Sequence, residues 1–388
     1  MRDGNEKERR EAMWTRWRKL LPVLGFAAAM MAGAATPGAF EVVSGPGANP
    51  DCMAPWQQDT AFLKYPRKQG PFRIALSNGY SANDWRKQMM KTARAYVAQP
   101  EIAAQIREFK AVSTGEDVNA QVAAINGFID AGYDAIVVDA ENPNAFGPVI
   151  ARARQAGIVL VAFDNTLDTR DAINVDVDQK GIGRLSAEWL IQNLPEGGTL
   201  LEVRGVEGTS VDSDRHEGAR ETLAASGKTW KVIEARGKWN DAVAKQATAE
   251  AIAAHGPFDG IISQAGDAGV IAAMMEAKHP FVPMAGETEN GFRKLCAAYA
   301  KDGLKCSSAG TGPAQVAVAI KVALAALEGQ VVPQAIKLPT TAVQDPDIQV
   351  GRDYYPDQAD GFFVGNAFPS CGIALSVTEI LQQPDESP

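Results

Sequence analysis

Apolar and polar positions follow a repeating strand-then-helix pattern along most of this chain. In its first half, the predicted strands are 72–76, 109–112, 133–138 and 158–163, and the predicted helices are 83–96, 117–131 and 144–156. The run at 158–163 contains no polar residue, which is typical of a strand buried on both faces of a parallel sheet.

The same alternation resumes in the second half. The predicted helices there are 179–193, 212–225, 241–254, 268–277, 291–300 and 313–327, and the predicted strands are 199–203, 231–235, 258–262 and 281–284, with further strand candidates at 348–350 and 362–364. Strands that alternate with helices of this length indicate parallel sheets with right-handed crossovers. We therefore predict an α/β fold with two doubly wound parallel-sheet lobes.

A single crossing in residues 158–181 joins the two series of elements. Asp164 and Asn165 end the buried run, and a short apolar piece at 173–175 leads into the next predicted helix. Open α/β sheets bind ligands beyond the carboxyl ends of their strands, so Asp164 and Asn165 are candidate ligand-binding residues.

Composition and the amino-terminal segment predict an exported protein with a small-molecule ligand. The net charge of −9 argues against a nucleic-acid partner. Residues 1–20 are rich in Arg and Lys, residues 21–35 are apolar, and Ala32-Gly33-Ala34 fits a cleavage site, so we predict a signal peptide at 1–34. The alternative is an uncleaved anchor, but the apolar run is shorter than the ~20 residues of a spanning helix. Residues 35–70 are expected to form an extended lead-in.

The four cysteines all lie in the exported part. An even number in an oxidising compartment predicts disulfides, for which four cysteines allow three pairings. A local bridge between Cys296 and Cys306 is our first choice, and Cys52 and Cys371 would then join the two ends of the chain. The three histidines are scattered and no Cys-x-x-Cys is present, so no metal site is expected.

Motifs for cofactors and for the common catalytic arrangements are missing. The sequence contains no G-x-x-x-x-G-K-[ST], no G-x-G-x-x-G after a strand, no G-x-S-x-G and no H-E-x-x-H. We therefore expect no cofactor and no enzymatic activity, although an enzyme that uses two carboxylates on a glycoside remains an alternative.

Polar and aromatic residues recur where predicted strands end. In the first series they include Asn83, Trp85, Arg86, Asp164 and Asn165, and in the second they include Arg215, Trp239, Asp267 and Glu287. Indole rings together with carboxylate, amide and guanidinium groups suit a polyol, because a hydroxyl both donates and accepts hydrogen bonds. Structural roles compete with this interpretation. Trp85 could be a core residue, the aspartates could lie in first helical turns, and the arginines could form structural ion pairs.

Over residues 72–329 the chain resembles the type I periplasmic sugar-binding proteins of ABC importers, the ribose and galactofuranose group. The motifs that carry the resemblance are I-A-L-S-N at 74–78, N-D-W-R-K-Q-M at 83–89, G-Y-D-A-I-V-V at 132–138, G-I-V-L-V-A-F-D-N at 157–165, and G-V-E-G-T-S at 205–210 followed by R-H-E-G at 215–218.

The resemblance implies roles for individual residues. Trp85 corresponds to the aromatic that stacks on the sugar, and Arg86 to the arginine after it in galactofuranose-type members. Asp164, Arg215 and Trp239 also match family positions. Three positions depart from the pattern: Asn165 stands where an arginine is usual, Gly266-Asp267 replaces an Asn-Asp pair, and Glu287 replaces an aspartate.

The resemblance also implies three crossings between the lobes, near Val175, Gly310 and Lys337. The expected lobes are 71–175 plus 311–337 and 176–310 plus 338–375, followed by a tail at 376–388. The implied protein is a monomeric periplasmic receptor that captures a sugar or polyol and delivers it to a membrane ABC permease. The alternatives are a ligand receptor for chemotaxis or a sensor kinase and, further away, a secreted carbohydrate-active enzyme.

Overall fold

The computed structural model describes residues 40–384. The expected signal peptide and the last four residues of the tail lie outside this range. None of the helices within the range combines the length and the apolar character that crossing a membrane would require.

Seventeen strands form within the described range. They are β1 Glu41–Val43, β2 Phe62–Lys64, β3 Phe72–Asn78, β4 Ile106–Ser113, β5 Ala135–Asp139, β6 Val159–Phe163, β7 Ile173–Asp176, β8 Gly198–Arg204, β9 Trp230–Arg236, β10 Gly260–Ser263, β11 Met284–Gly286, β12 Cys306–Gly310, β13 Val331–Pro333, β14 Ala335–Lys337, β15 Thr341–Gln344, β16 Ala367–Phe368 and β17 Ile373–Ala374.

Eleven α-helices accompany these strands. They are α1 Asp84–Val97, α2 Pro100–Ala103, α3 Val118–Asp130, α4 Gly147–Gln155, α5 Gln179–Asn193, α6 Ser210–Ala225, α7 Asp241–His255, α8 Asp267–Glu276, α9 Asn290–Tyr299, α10 Gln315–Leu327 and α11 Val377–Leu381.

Two six-stranded sheets carry the fold. The first has the order β14-β7-β6-β5-β3-β4 and is parallel throughout. The second has the order β15-β12-β11-β10-β8-β9 and is parallel except for the antiparallel edge strand β15. The predicted α/β fold of two doubly wound lobes is confirmed.

The central strands are buried as their apolar sequences require. Every residue of β5 and β6 is buried, and twelve residues of α10 are buried against the first sheet. A strand covered on both faces needs apolar side chains on both faces, which is why these runs show no alternation.

The chain passes between the two sheets three times. It leaves the first sheet after β7, returns to it between β12 and α10, and leaves again between β14 and β15. Three short connections between two compact lobes are the arrangement that permits hinge motion.

The structure adds strands to the expected extended lead-in and corrects one strand boundary. Strands β1 and β2 form a small antiparallel sheet with β13, in which Leu63 pairs with both Val42 and Val332. Strands of three residues are too short to show a period of two in the sequence. The last strand before α9 begins at Met284 rather than at residue 281, since Pro283 has no N–H to donate to a neighbouring strand.

The strand candidates in the carboxyl-terminal region form only isolated bridges, Val350 with Tyr354 and Phe363 with Glu289. Side-chain bonds hold this region instead. The amide nitrogen of Asn290 donates to the carbonyl oxygens of Tyr355 and Ala359, both at 3.0 Å. These hydrogen bonds to the Asn290 side chain hold the irregular segment in place although it has no partner strand.

Both expected disulfides are present. Cys296–Cys306 links α9 to β12, and Cys52–Cys371 joins residues 319 positions apart, with 3% of each of these two residues exposed. The second bridge lies within the core of the first lobe and ties the lead-in to the carboxyl-terminal region.

Helices α5 and α6 approach closely because two glycines face the opposite backbone. A Cβ at Gly183 would overlap the carbonyl oxygen of Arg215, and one at Gly218 would overlap that of Lys180. Backbone atoms cannot rotate away as the end of a side chain can. These glycines therefore set the distance between the two helices.

We expect Gly183→Ala to lower the free energy of unfolding by roughly 1–3 kcal/mol, the usual cost of overpacking. Gly127→Ala is the matched control, since Gly127 also lies in a helix but has no atom near its Cβ position. That variant should be more stable by roughly 0.5–1 kcal/mol, because alanine favours the helix. Thermal and urea unfolding measure both effects, and a fully stable Gly183→Ala protein would contradict the helix contact.

Candidate functional site

The carboxyl ends of both sheets face a common cleft between the lobes. A small cavity lies there, lined by side chains of both lobes. Its lining is Asn83, Trp85, Arg86, Asp164, Val211, Arg215, Trp239, Gln264, Ala265, Glu287 and Phe363. Seven of the nine residues predicted to bind ligand are in this lining.

The first lobe supplies Trp85 and Arg86 from the start of α1. Asn83 caps this helix, and its Oδ1 accepts a hydrogen bond from the backbone N–H of Arg86 at 2.8 Å. The cap fixes the first turn so that both side chains line the cleft. The indole Nε1 of Trp85 donates to the carbonyl of Thr311 at 3.1 Å, which anchors one edge of the ring to a connection between the lobes.

Arg86 is 2% exposed and is surrounded by acceptors. It forms an ion pair with Asp139, donates to Asn78 Oδ1 at 2.7 Å and lies 3.6 Å from Asp164 Oδ2. Burial raises the pKa of Asp139 well above its ordinary value, the charge of Arg86 opposes that rise, and the neighbouring Asp164 adds to it.

Asp164 has a left-handed backbone, with φ of 56°. This conformation is rare for residues other than glycine, and such residues cluster at functional sites. The Oδ1 atom of Asp164 accepts from Gln315 Nε2 at 2.8 Å, and its Oδ2 atom accepts from Asn165 Nδ2 at 3.1 Å. The carboxylate is therefore held in one orientation while it still faces the cleft.

The second lobe contributes a separate ion pair. Arg215, on α6, contacts Glu287 Oε2 at 2.6 Å and donates through Nε to Gln179 Oε1 at 2.8 Å. Glu287 is 4% exposed and needs space for a side chain one methylene longer than aspartate. That space exists because residue 310 is glycine, since a Cβ at Gly310 would overlap Glu287 Oε1.

Trp239 forms the second aromatic wall, and its φ of 54° is also left-handed. The ring packs directly over Gly205, where a Cβ would overlap it. Two buried atoms of the lining, Trp239 Nε1 and Gln264 Oε1, have no hydrogen-bond partner among residues 40–384. A buried polar atom of this kind calls for an explanation, and a ligand in the cavity would provide one.

Asn165 and Asp267 were predicted to bind ligand, but the structure places both outside the cavity lining. Asn165 contacts Asp139 and accepts from the backbone N–H of Val211 at 3.2 Å. Asp267 accepts from the backbone N–H of Glu287 at 2.7 Å, and burial raises the pKa of Asp267 to about 7. Both side chains are already engaged in positioning residues of the lining.

Sequence reasoning missed four residues that build the site. Val211, Ala265 and Phe363 line the cavity, and Asp139 pairs with Arg86. Asp139 had a usable signal, because it directly follows the apolar run at 135–138 as Asp164 follows its own run. Phe363 had none, since it lies in the irregular carboxyl-terminal region.

The structural alternatives also hold in part. Arg86 and Arg215 both form buried ion pairs and both line the cleft. Asp212, in contrast, lies in the first turn of α6 and contacts Arg204, away from the lining. For the two arginines a structural role and a place in the cavity wall therefore coexist.

Hydrogen bonds connect the lobes beside the cavity. Tyr80 Oη donates to the carbonyl of Lys238 at 2.9 Å, Asn240 Nδ2 donates to the carbonyl of Ala82 at 3.1 Å, and Lys238 Nζ lies 3.2 Å from Glu116. The ring of Tyr80 also meets that of Trp239 edge to face at 6.3 Å. The lobes are thus closed on each other in this structure.

Comparison with known proteins agrees with this architecture. The family model described as periplasmic binding protein domain matches residues 74–330. A xylitol-binding protein of Mycolicibacterium smegmatis is 29% identical over 178 residues, which cover 45% of this chain and 51% of that protein. A D-ribose/D-allose-binding protein of Pseudomonas aeruginosa is 31% identical over 179 residues, which cover 43% and 54%. The chain therefore spans about half the length of these curated relatives.

Solved structures show the same fold. An ABC transporter solute-binding protein of Thermobispora bispora aligns with a TM-score of 0.66 at 25% identity, over 71% of this chain and 86% of that one. A solute-binding protein of Mycobacterium smegmatis with bound glycerol aligns at 0.64 and 22% identity, over 72% and 96%. The resemblance seen in the sequence motifs is confirmed, and the chain belongs to the periplasmic binding protein domain family.

Proposed function

We propose that this protein is a periplasmic solute receptor that captures a monosaccharide or related polyol between its lobes and delivers it to an ABC importer. The observation that carries the proposal is the cleft itself, in which a buried arginine–carboxylate pair from each lobe and two indole rings surround one small cavity. The expected lobes, 71–175 plus 311–337 and 176–310 plus 338–375, need one change, because Phe363, Cys371 and Leu375 pack in the core of the first lobe. We therefore propose that the second lobe ends before residue 363.

The chemistry of the lining favours hydroxyl groups. Arg86 and Arg215 donate, Asp164 and Glu287 accept, and a sugar hydroxyl does both at once. Trp239 Nε1 and Gln264 Oε1 add a donor and an acceptor that have no partner among the described residues. Because the charges of the lining occur in pairs, a neutral polar ligand suits the cleft better than an ion.

The closed contacts imply how a ligand enters. Tyr80, Asn240 and Lys238 join the lobes beside the cavity, so these bonds have to open before a solute can reach Arg86 and Arg215. Ligand that contacts both lobes would then favour closure by its differential affinity for the closed state. Closure is also the signal by which a permease could distinguish loaded from empty receptor.

Delivery to an importer and a periplasmic location rest on two supports. One is the predicted signal peptide at 1–34, and the other is the family, whose named relatives include xylitol- and D-ribose/D-allose-binding proteins. We expect a monomer without enzymatic activity.

A thermal-shift screen of pentoses, hexoses, their furanose forms and acyclic polyols tests the proposed function. The protein is first unfolded and refolded during dialysis to remove any ligand that copurifies with it. At least one neutral polyol is expected to raise the melting temperature in proportion to the logarithm of its concentration. If no member of the screen stabilises the ligand-free protein, the proposal fails.

Arg215→Gln is expected to weaken binding of the solute found in this screen by roughly 10–150-fold, because hydrogen bonds to charged groups contribute about 1.5–3 kcal/mol. Arg220→Gln is the matched control, since Arg220 is exposed on the same helix. Isothermal titration calorimetry measures both affinities, and circular dichroism verifies that both variants fold. Equal affinities for the two variants would contradict the assignment of Arg215.

Trp239→Phe keeps an aromatic wall but removes the indole N–H together with part of the bicyclic ring. We expect affinity to fall by at least roughly 2–12-fold, the value of one neutral hydrogen bond. Stability without ligand should fall modestly, because the smaller ring fills less of the space over Gly205, while no hydrogen bond to residues 40–384 is lost. Calorimetry and thermal unfolding measure the two effects, and a destabilised apoprotein with unchanged affinity would show that Trp239 serves packing alone.

A further inference from the structure

A second cluster of side chains lies outside the cleft, on one face of the second sheet. Glu202 on β8 and Glu234 on β9 are direct partners in the strand register, so they project side by side from the same face. Helix α6 covers this face and brings His216 to them. One ligating atom from each of the three side chains lies within 4.8 Å of the other two.

Glu202 is buried, and among the described residues no Arg or Lys forms an ion pair with it. Its side chain is 1% exposed, and within residues 40–384 its carboxylate forms side-chain hydrogen bonds only with His216 Nδ1, at 2.9 and 3.0 Å to its two oxygens. A neutral imidazole offers one N–H to these two oxygens. A carboxylate removed from water needs a cation or several donors to offset its lost hydration.

The surrounding charges leave this face negative. Arg204 is held by Asp212 through Nε at 3.1 Å and Nη2 at 2.6 Å, and it reaches Glu234 Oε2 through Nη1 alone at 2.9 Å. Arg236 contacts Asp212 at 3.3 Å and Glu207 at 3.8 Å. Four carboxylates thus surround two guanidinium groups, which leaves a charge of −2 while His216 is neutral.

We propose that Glu202, His216 and Glu234 bind a divalent transition-metal cation, with Zn²⁺ as the best match. One imidazole nitrogen and two carboxylate oxygens are a donor set that Zn²⁺ accepts, with ligand distances of about 2.0–2.2 Å and a fourth position for water. A dication also matches the residual charge. Ca²⁺ and Mg²⁺ fit less well, since they need about six or more oxygen ligands.

The site would act on the helix that carries the cleft arginine. His216 directly follows Arg215 on α6, and a metal ion between His216 and the two glutamates would fasten α6 to β8 and β9. Metal binding is therefore expected to raise the melting temperature of the protein, and the rise should grow with the logarithm of the free Zn²⁺ concentration once the site is occupied. The metal proposal does not depend on which solute the cleft binds.

The test uses untagged full-length protein freed of metal by dialysis against a chelator. Zn²⁺ is titrated at pH 7.5 in competition with a chromophoric chelator, and one high-affinity ion per chain is expected. His216→Gln should weaken binding at least roughly 10–100-fold, the loss that even residues behind metal ligands produce. His255→Gln is the matched control, because His255 is exposed at the end of α7.

Glu234→Gln provides a second variant that should fold normally, since 41% of its side chain is exposed. It should also weaken Zn²⁺ binding, because it replaces a carboxylate ligand by a neutral amide. Absence of a bound ion, or equal binding by the His216 and His255 variants, would overturn the proposal. The hydrogen bond between His216 and Glu202 would then be the role of His216.

Discussion

The cost of burying charge is the constraint on which this cleft depends. Removing an ion from water costs several kcal/mol unless a partner offsets the loss. Each lobe meets this requirement by itself: Arg86 is paired with Asp139 and Asp164, and Arg215 with Glu287. Among the described residues, no buried ion pair joins the two lobes across the cavity. Separation of the lobes therefore breaks no buried ion pair and leaves no charge of the cleft without its partner.

What does join the lobes is weaker and more easily reversed. The bonds of Tyr80 and Asn240 are neutral hydrogen bonds, and the pair of Lys238 with Glu116 is half exposed. Such contacts exchange readily for water, at a net value of about 0.5–1.5 kcal/mol for a hydrogen bond and less for an exposed pair. The buried ion pairs thus keep the part of the site within each lobe intact, and the weaker contacts between the lobes determine whether the cleft is open or closed.

The sequence predicted the architecture well because that part depends on local patterns. Buried strands such as β5 and β6 can be predicted from their uninterrupted apolar runs. Asp164 can be predicted as a site residue because it follows one of these runs. The cavity lining was harder, because Phe363 and Val211 reach it through tertiary packing that no local period encodes. Asn165 and Asp267 show the opposite case, in which the position after a strand is predicted correctly but the contacts of the side chain are not. They follow the correct strands, yet a hydrogen bond to a backbone N–H orients each of them away from the cavity.

The Cys52–Cys371 bridge helps to fasten both ends of the described chain to the first lobe. The lead-in pairs with β13, and α11 packs beside α1, so both flanks of the binding domain are fastened to the first lobe. The second lobe is attached by the three connections and by the carboxyl-terminal segment, which returns to the core of the first lobe from Phe363 onwards. A surface tether or fluorophore placed at either flank would therefore move with the first lobe. It would serve as a fixed reference for motion of the second lobe.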